Sequence, residues 1–367
     1  MEIAIMGAGL SGLSCAITLA QNGITPVVFE NRSRPGDRFI NAEILLDILN
    51  RPVMDSLAYL SGNHGIFLQP SSNIRRLILI SENRRAVIEG NLGFVTIRGR
   101  HTQSFESQLA GRYSGKIVFN SRESYEDLIQ EFSHVIMATG DAAYAVRLRN
   151  YEEDLTVRLK GATFTGNFDP QTVYAWLDYR IAPRGYCYLI PFSREEANGV
   201  IAYPEYPDTL STNPAVLWSR FEARLEEEFS GGLRVTDTFD VQGYIIGSAT
   251  TPRIGNTFFT GNCLCAVMPF LGFGQFTAIL SGIYAARDLL GMGDYLGLTA
   301  KIRKSYRKSL VMRRFLENLD NQGLDTLVSA LSGGLGNRIF NSRFNLLSTV
   351  SLILKPWVLK DEVIKTR

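Results

Sequence analysis

Apolar residues open the chain at Ile3, Ile5 and Met6. A turn of small residues, Gly7-Ala8-Gly9-Leu10-Ser11-Gly12, interrupts them, and Leu13, Ala16, Ile17 and Ala20 then recur at helical spacing. This pattern predicts a buried strand, a glycine turn and a helix. Gly23 ends that helix, residues 26–29 form a second apolar run, and residues 39–49 read as helical. Residues 73–80, 85–89 and 92–98 are strand-like and joined by short turns, which predicts an antiparallel layer separate from the first sheet. Phe105, Leu109 and Tyr113 share one helical face, and residues 116–120 and 134–137 read as further buried strands, the latter running into Ala138-Thr139-Gly140-Asp141. A second group of strands, 155–164, 172–182, 185–192 and 197–203, carries turn signals at Asp169-Pro170, Pro183-Arg184-Gly185 and Asn198-Gly199. Residues 214–229 form an amphipathic helix, 257–261 return to the first sheet, and 272–290 read as a glycine-led buried helix. The expected class is α/β, with two sheets woven together along the chain.

Each glycine of the first turn has its own task. Gly7 permits the tight turn, Gly9 lets backbone approach a pyrophosphate, and Gly12 lets the helix pack closely on the strand. Leu10 and Ser11 begin the helix, whose free N–H groups and positive dipole end face the phosphates. Glu30 lies 18 residues beyond Gly12, at the end of the second strand, where a carboxylate can accept from ribose hydroxyls. Strand, turn, helix and acid together predict dinucleotide binding; the alternative is a tight turn without a ligand. Arg38, in the polar loop 31–38, and Arg100 are assigned to the same cofactor site. For Arg38 the alternative is a solvated side chain.

Composition narrows the partners. The chain has 367 residues, enough for two lobes, and its 38 basic and 36 acidic residues leave a net charge of +2, too little to draw nucleic acid. Cys15, Cys187, Cys263 and Cys265 include no C-x-x-C pair, which predicts a reduced, cytoplasmic setting. His64, His101 and His134 are scattered, so neither a metal site nor a histidine-based triad is expected. The first residues read as a strand rather than a leader, and no apolar stretch is long enough to span a bilayer.

Gly261-Asn262, followed by a loop, Pro269 and Gly272-Phe273-Gly274 before a small-residue helix, resembles the second flavin fingerprint of the aromatic-hydroxylase superfamily. The resemblance implies a Rossmann-like FAD-binding domain interwoven with a mostly antiparallel substrate domain, plus C-terminal helices. On that reading residues 1–72, 100–150 and 248–300 bind FAD, 73–99 and 151–247 form the substrate domain, and 301–367 the helical region. Gly261, Asn262, Gly272, Phe273 and Gly274 then join Gly7, Gly9, Leu10, Ser11, Gly12 and Glu30 around the cofactor. Within the superfamily, Pro183, Gly185, Tyr186 and Pro191 match a stretch of the geranylgeranyl reductase family, with Tyr188 in place of its tryptophan and Ile190 in place of a phenylalanine. This implies that Tyr186, Tyr188 and Pro191 border an isoprenoid cavity, with Asn41 and Glu43 beside the flavin ring. Asn262 stands where the fingerprint has an acid, Thr139 stands where an acid is common, and Asn41-Ala42-Glu43 stands where relatives often carry a cysteine.

The expected activity is FAD-dependent reduction of carbon–carbon double bonds in a prenyl or other lipid-like substrate, with NAD(P)H or another donor binding transiently. The alternatives are a flavin monooxygenase or halogenase of an aromatic substrate, and a non-catalytic flavoprotein that binds a lipid or a partner. Residues 301–316 carry seven basic side chains and no acid, and 344–359 are mostly apolar with Trp357 among them. That pairing predicts a peripheral membrane contact, against the alternative of a tail helix packed on its own core.

Overall fold

The computed structural model describes residues 1–343, 345–352 and 354. Its strands are β1 (Ile3–Met6), β2 (Val27–Phe29), β3 (Asn41–Leu46), β4 (Ser72–Ser81), β5 (Arg85–Arg98), β6 (Ile117–Val118), β7 (His134–Met137), β8 (Tyr151–Thr165), β9 (Thr172–Leu177), β10 (Tyr186–Pro191), β11 (Glu196–Pro204), β12 (Arg234–Ala249), β13 (Arg253–Ile254) and β14 (Thr257–Phe259). The helices are α1 (Leu10–Gln21), α2 (Ser56–His64), α3 (Phe105–Ala110), α4 (Tyr125–Glu131), α5 (Ala143–Arg147), α6 (Pro214–Phe229), α7 (Gln275–Leu289), α8 (Tyr295–Glu317), α9 (Asn321–Leu331) and α10 (Leu335–Phe340).

The first sheet has the order β13-β14-β7-β1-β2-β6 and is parallel except where β13 meets β14. Parallel strands end on the same side, so the residues after β1, β2, β7 and β14 meet along one edge. Gly7, Glu30, the turn 138–141 and Asn262 are those residues. α1 and α7 cover this sheet and touch each other where Gly282 meets Ser11; a Cβ on Gly282 would lie 2.0 Å from the Ser11 carbonyl oxygen. Ile5, Leu13, Phe258, Ile279 and Ile283 fill the core between sheet and helices.

The second sheet has eight strands, in the order β12-β8-β11-β10-β9-β4-β5-β3, antiparallel except for β4 with β9. Its edge strand β3 folds back toward β11: the Ala42 N–H donates to Asn198 Oδ1 at 2.6 Å, and Asn198 Nδ2 donates to Thr163 Oγ1 at 2.9 Å. Asn198 is fully buried and clasps the curl of the sheet.

Several elements differ from the sequence expectation. The helix expected over 39–49 is strand β3 followed by a single 3-10 turn, Asp47–Leu49. Ala42, Ile44 and Leu46 alternate into the core and the strand pairs with β5 from Asn41↔Arg98 to Leu46↔Gly93, so period two and a distant partner prevail over local helical spacing. β3 therefore hydrogen-bonds into the second sheet although it lies within 1–72. Asn198-Gly199 is no turn but the interior of β11, where the absent side chain of Gly199 leaves room for the Phe164 ring. The runs 85–89 and 92–98 form one continuous strand. The run expected to 182 stops at Leu177, because the Asp178 carboxylate accepts from the Arg180 N–H and turns the chain. β12 had no sequence expectation.

The four cysteines are free and buried, and among the described residues no cluster of His, Cys, Asp and Glu could hold a metal. No helix of the described residues is long and apolar enough to cross a membrane. Of the tail segment 344–359, Phe344, Ile353 and residues 355–359, including Trp357, lie outside the described residues. Lys308, on the basic helix α8, donates to Ser348 of that segment at 2.6 Å.

His64 closes α2 with both ring nitrogens buried and without a hydrogen-bond partner. Burial, with the charge of Arg287, lowers its pKa to about 4, so the fold holds the ring neutral. Its contribution to stability is then complete above the ordinary value near pH 6.5 and is lost as pH falls toward 4. His64→Phe is expected to reduce this loss, read as a smaller drop in the urea midpoint between pH 7 and about pH 4.5. An equal drop in both proteins would remove His64 as the cause.

Candidate functional site

The N-terminal turn has one packed side and one open side. A Cβ on Gly7 would lie 2.3 Å from the Ala138 carbonyl oxygen, and one on Gly12 would lie 2.0 Å from the Gly7 oxygen. A Cβ on Gly9 would meet nothing within 4 Å. The middle glycine thus faces free space where a ligand can approach, while its neighbours lock turn, helix and β7 together. Gly9 is also the α1 N-cap and offers no side-chain acceptor, so the first-turn N–H groups at buried Leu10 and Ser11 stay available to an anion.

Glu30 is buried at the end of β2. Its Oε2 accepts from the Ala8 N–H at 2.8 Å and its Oε1 from the Arg32 N–H at 3.0 Å. The carboxylate braces the glycine turn, and each oxygen keeps a further acceptor position for a hydroxyl. Arg38 is exposed, and its guanidinium lies 3.6 Å from where a Gly140 Cβ would stand. Arg100 instead pairs with Asp237 of β12.

The loop before α7 completes the edge. The Gly261 N–H donates to Ser281 Oγ at 2.8 Å, and a Cβ on Gly261 would meet Ser11 Oγ at 2.6 Å. Asn262 Nδ2 donates to the Gly140 carbonyl at 2.7 Å and to the Tyr244 hydroxyl. Gly272 has a φ of +70°, which suits glycine, and the Met268 N–H donates to the Phe273 carbonyl at 2.8 Å. Gly274 caps α7 without a side-chain acceptor, giving a second open helix N-terminus.

The second sheet meets this loop through β10. Tyr186 donates to the Leu271 carbonyl at 2.6 Å, and the Tyr188 hydroxyl approaches Asn41 Oδ1 at 3.5 Å. Asn41 Nδ2 donates to Glu43 Oε1 at 3.1 Å; Arg98 reaches Glu43 Oε2 at 3.5 Å and donates from Nε to Glu106 Oε1 at 2.6 Å. Tyr186, Tyr188, Asn41 and Glu43 thus stand together, while Pro191 shares the opposite face of β10 with Cys187 and Leu189. Burial pushes Tyr186 up to about 12 and Tyr188 well above the usual range, so both phenols keep their protons. The cavity between β3 and α7, walled by Leu46, Met268, Phe273 and Phe276, has about 10 Å³, room for one water and not for a substrate chain.

Two features had no expectation from sequence. Thr96 on β5 bonds Gln275 at the head of α7 at 3.1 Å, tying the sheets together beneath the loop. Tyr244 reaches Asn262 from β12, a strand with too few apolar positions to stand out.

Residues 5–59 match the family model described as an NAD(P)-binding Rossmann-like domain. The whole chain is similar to a geranylgeranyl bacteriochlorophyll reductase-like protein from Thermoplasma acidophilum at 16% identity and TM-score 0.68, with 98% of both chains covered. It is similar to CmlS, a flavin-dependent halogenase, at 12% identity and TM-score 0.66, covering 99% of this chain and 77% of that one. A tetrameric form of 2-methyl-3-hydroxypyridine-5-carboxylic acid oxygenase matches at 17% identity and TM-score 0.60, over 92% of this chain and 93% of that one. At such identities the likeness is one of fold, and it agrees with the geometry: the chain has the fold of FAD-dependent oxidoreductases, built on an NAD(P)-binding Rossmann-like domain.

Proposed function

We propose that the chain binds FAD and reduces carbon–carbon double bonds of a prenyl or other lipid-like substrate. The residues present fit the cofactor. Gly9 opens on free space, two uncapped helix N-termini flank the same edge, and Glu30 keeps acceptor positions there. Gly7, Gly9, Leu10, Ser11 and Gly12 would hold the pyrophosphate, Glu30 the ribose, and Asn262 with Gly272, Phe273 and Gly274 the flavin half. Bound there, FAD supplies hydride chemistry.

The observation that carries the substrate reading is the pair of tyrosines on β10, joined through the Tyr186–Leu271 hydrogen bond to the loop before α7. They give an aromatic wall suited to an apolar chain beside the cofactor edge. Tyr186 positions that loop. Tyr188 keeps its proton, its hydroxyl directed to Asn41 Oδ1, and the Asn41 amide in turn donates to Glu43, so the phenol is held in place by a polar chain. The chain's work is to orient the double bond, exclude water and keep one proton at hand.

The test is anaerobic. Protein reduced with dithionite and mixed with a geranylgeranyl lipid should be reoxidised without oxygen and yield a product heavier by two hydrogens. Reoxidation that requires oxygen would favour a monooxygenase or halogenase, a reading supported by the oxygenase and halogenase folds it shares. Tyr188→Ala should lower turnover about tenfold or more, roughly the effect of one transition-state contact, with flavin content unchanged. Loss of flavin together with activity would place Tyr188 in the cofactor cradle instead.

A further inference from the structure

β12 meets segments of the first half of the chain at two points and the cofactor edge at a third. Phe239 stacks on Phe39 with centroids 3.8 Å apart, Asp237 pairs with Arg100, and Tyr244 accepts from Asn262 Nδ2. A register irregularity between Val241 and Tyr244 interrupts the ladder to β8 just before the tyrosine.

Asn262 uses both amide hydrogens, one on the Gly140 carbonyl at 2.7 Å and one on the Tyr244 oxygen. Its orientation is thereby forced: turned over, Oδ1 would face the Gly140 oxygen, acceptor against acceptor. Asn262 Oδ1 remains as an acceptor and the Tyr244 O–H as a donor, and no other described residue bonds to either. Burial raises Tyr244 to about 12, so the donor persists across the working pH range.

We infer that Tyr244 and Asn262 act as one uncharged donor–acceptor pair that positions the hydroxylated chain of the cofactor, and that the Gly140 carbonyl is what requires an amide at position 262. The inference rests on the FAD reading and adds to it a residue from the other sheet. Gly140 has a φ of +80°, and Thr139 beside it is tied back to the Asp141 carbonyl at 3.0 Å. A carboxylate at position 262 would set an oxygen against that carbonyl with no proton between them. Thr139 and Asn262, two departures from the superfamily pattern, thus belong to one arrangement. Positive charge on this side comes from Arg38, whose guanidinium lies near Gly140 and acts on Tyr244.

The test uses the full chain stripped of flavin and titrated with FAD by fluorescence, together with the midpoint potential of the bound flavin and thermal unfolding without flavin. Tyr244→Phe should weaken FAD about 5- to 15-fold, the range for one hydrogen bond, while the flavin-free protein still unfolds cooperatively with at most a small drop in temperature from the lost Asn262 contact. Asn262→Asp should weaken it more than Asn262→Ala and shift the potential to more negative values, because a carboxylate opposes charge on the reduced ring. Combining Tyr244→Phe with Asn262→Ala should cost less than the product of the single effects, since both act on one contact. Asn262→Asp binding FAD as tightly as the wild type, or Tyr244→Phe leaving affinity unchanged, would overturn the inference. Wild-type protein that cannot bind FAD would overturn the FAD reading itself.

Discussion

Gly9→Val should fold like the wild type and purify without colour. Gly9 has φ −86° and ψ −173°, extended backbone that a β-branched residue adopts readily, and no atom lies within 4 Å of its added Cβ. Stability should stay within about 1 kcal/mol, the scale of an N-cap change. The side chain would instead occupy the space through which a pyrophosphate approaches the α1 N-terminus, so flavin should be lost. The contrast with Gly12 makes this informative. A Cβ at Gly12 collides with the Gly7 backbone, so a substitution there disturbs the fold and the ligand alike. Absorbance of the purified protein and a thermal melt suffice; yellow Gly9→Val with wild-type flavin content would show that the open side of the turn is not where the cofactor sits.

Gly282→Ala should damage stability and cofactor binding together. The new methyl would stand 2.0 Å from the Ser11 oxygen, 2.8 Å from its carbonyl carbon and 3.1 Å from its Cα. All three atoms are backbone, so no rotamer change relieves the clash and the two helices must part. Overpacking of this kind costs about 1–3 kcal/mol, and the upper end is expected here. The displacement falls on the first turn of α1, which links a buried helix crossing to the affinity of a site on its end. Urea unfolding of the flavin-free protein, followed by titration with FAD, measures both. An unchanged midpoint would mean that α1 and α7 do not meet as closely as described.

Local patterns and long-range ones differed in how far sequence revealed them. The path β1, glycine turn, α1, β2 and Glu30 was legible because each step is enforced within a few residues, as was α6, which opens on Pro214 with the Asn213 side chain accepting from the Ala215 N–H. β3 was not, because the run Ile44-Leu45-Leu46 fits either period and only pairing with β5, some fifty residues away, decides between them. Asn198-Gly199 carries ordinary turn chemistry, yet tertiary bonds from Asn198 hold it inside a strand. β12 was hidden by its polar residues, and with it Tyr244: an edge strand drawn in by β8 needs little apolar periodicity of its own. The cofactor cradle was therefore readable except for the part supplied by the second sheet.

The Asn198 clasp bears on how the molecule avoids sticking to its own kind. An exposed edge strand is a template for adding another chain, and an eight-stranded sheet has two such edges. At one edge, Asn198 takes up the Ala42 N–H and draws β3 back over the sheet. At the other, three register irregularities along β12, after Val235, Val241 and Ile246, break the regular spacing that an incoming strand would need. The edges of the first sheet, β13 and β6, are two residues long. Asn198→Ala would leave the Ala42 N–H without its partner on the outer side of β3, with the ladder to β5 intact, so its consequence should be a greater tendency to concentration-dependent aggregation on warming.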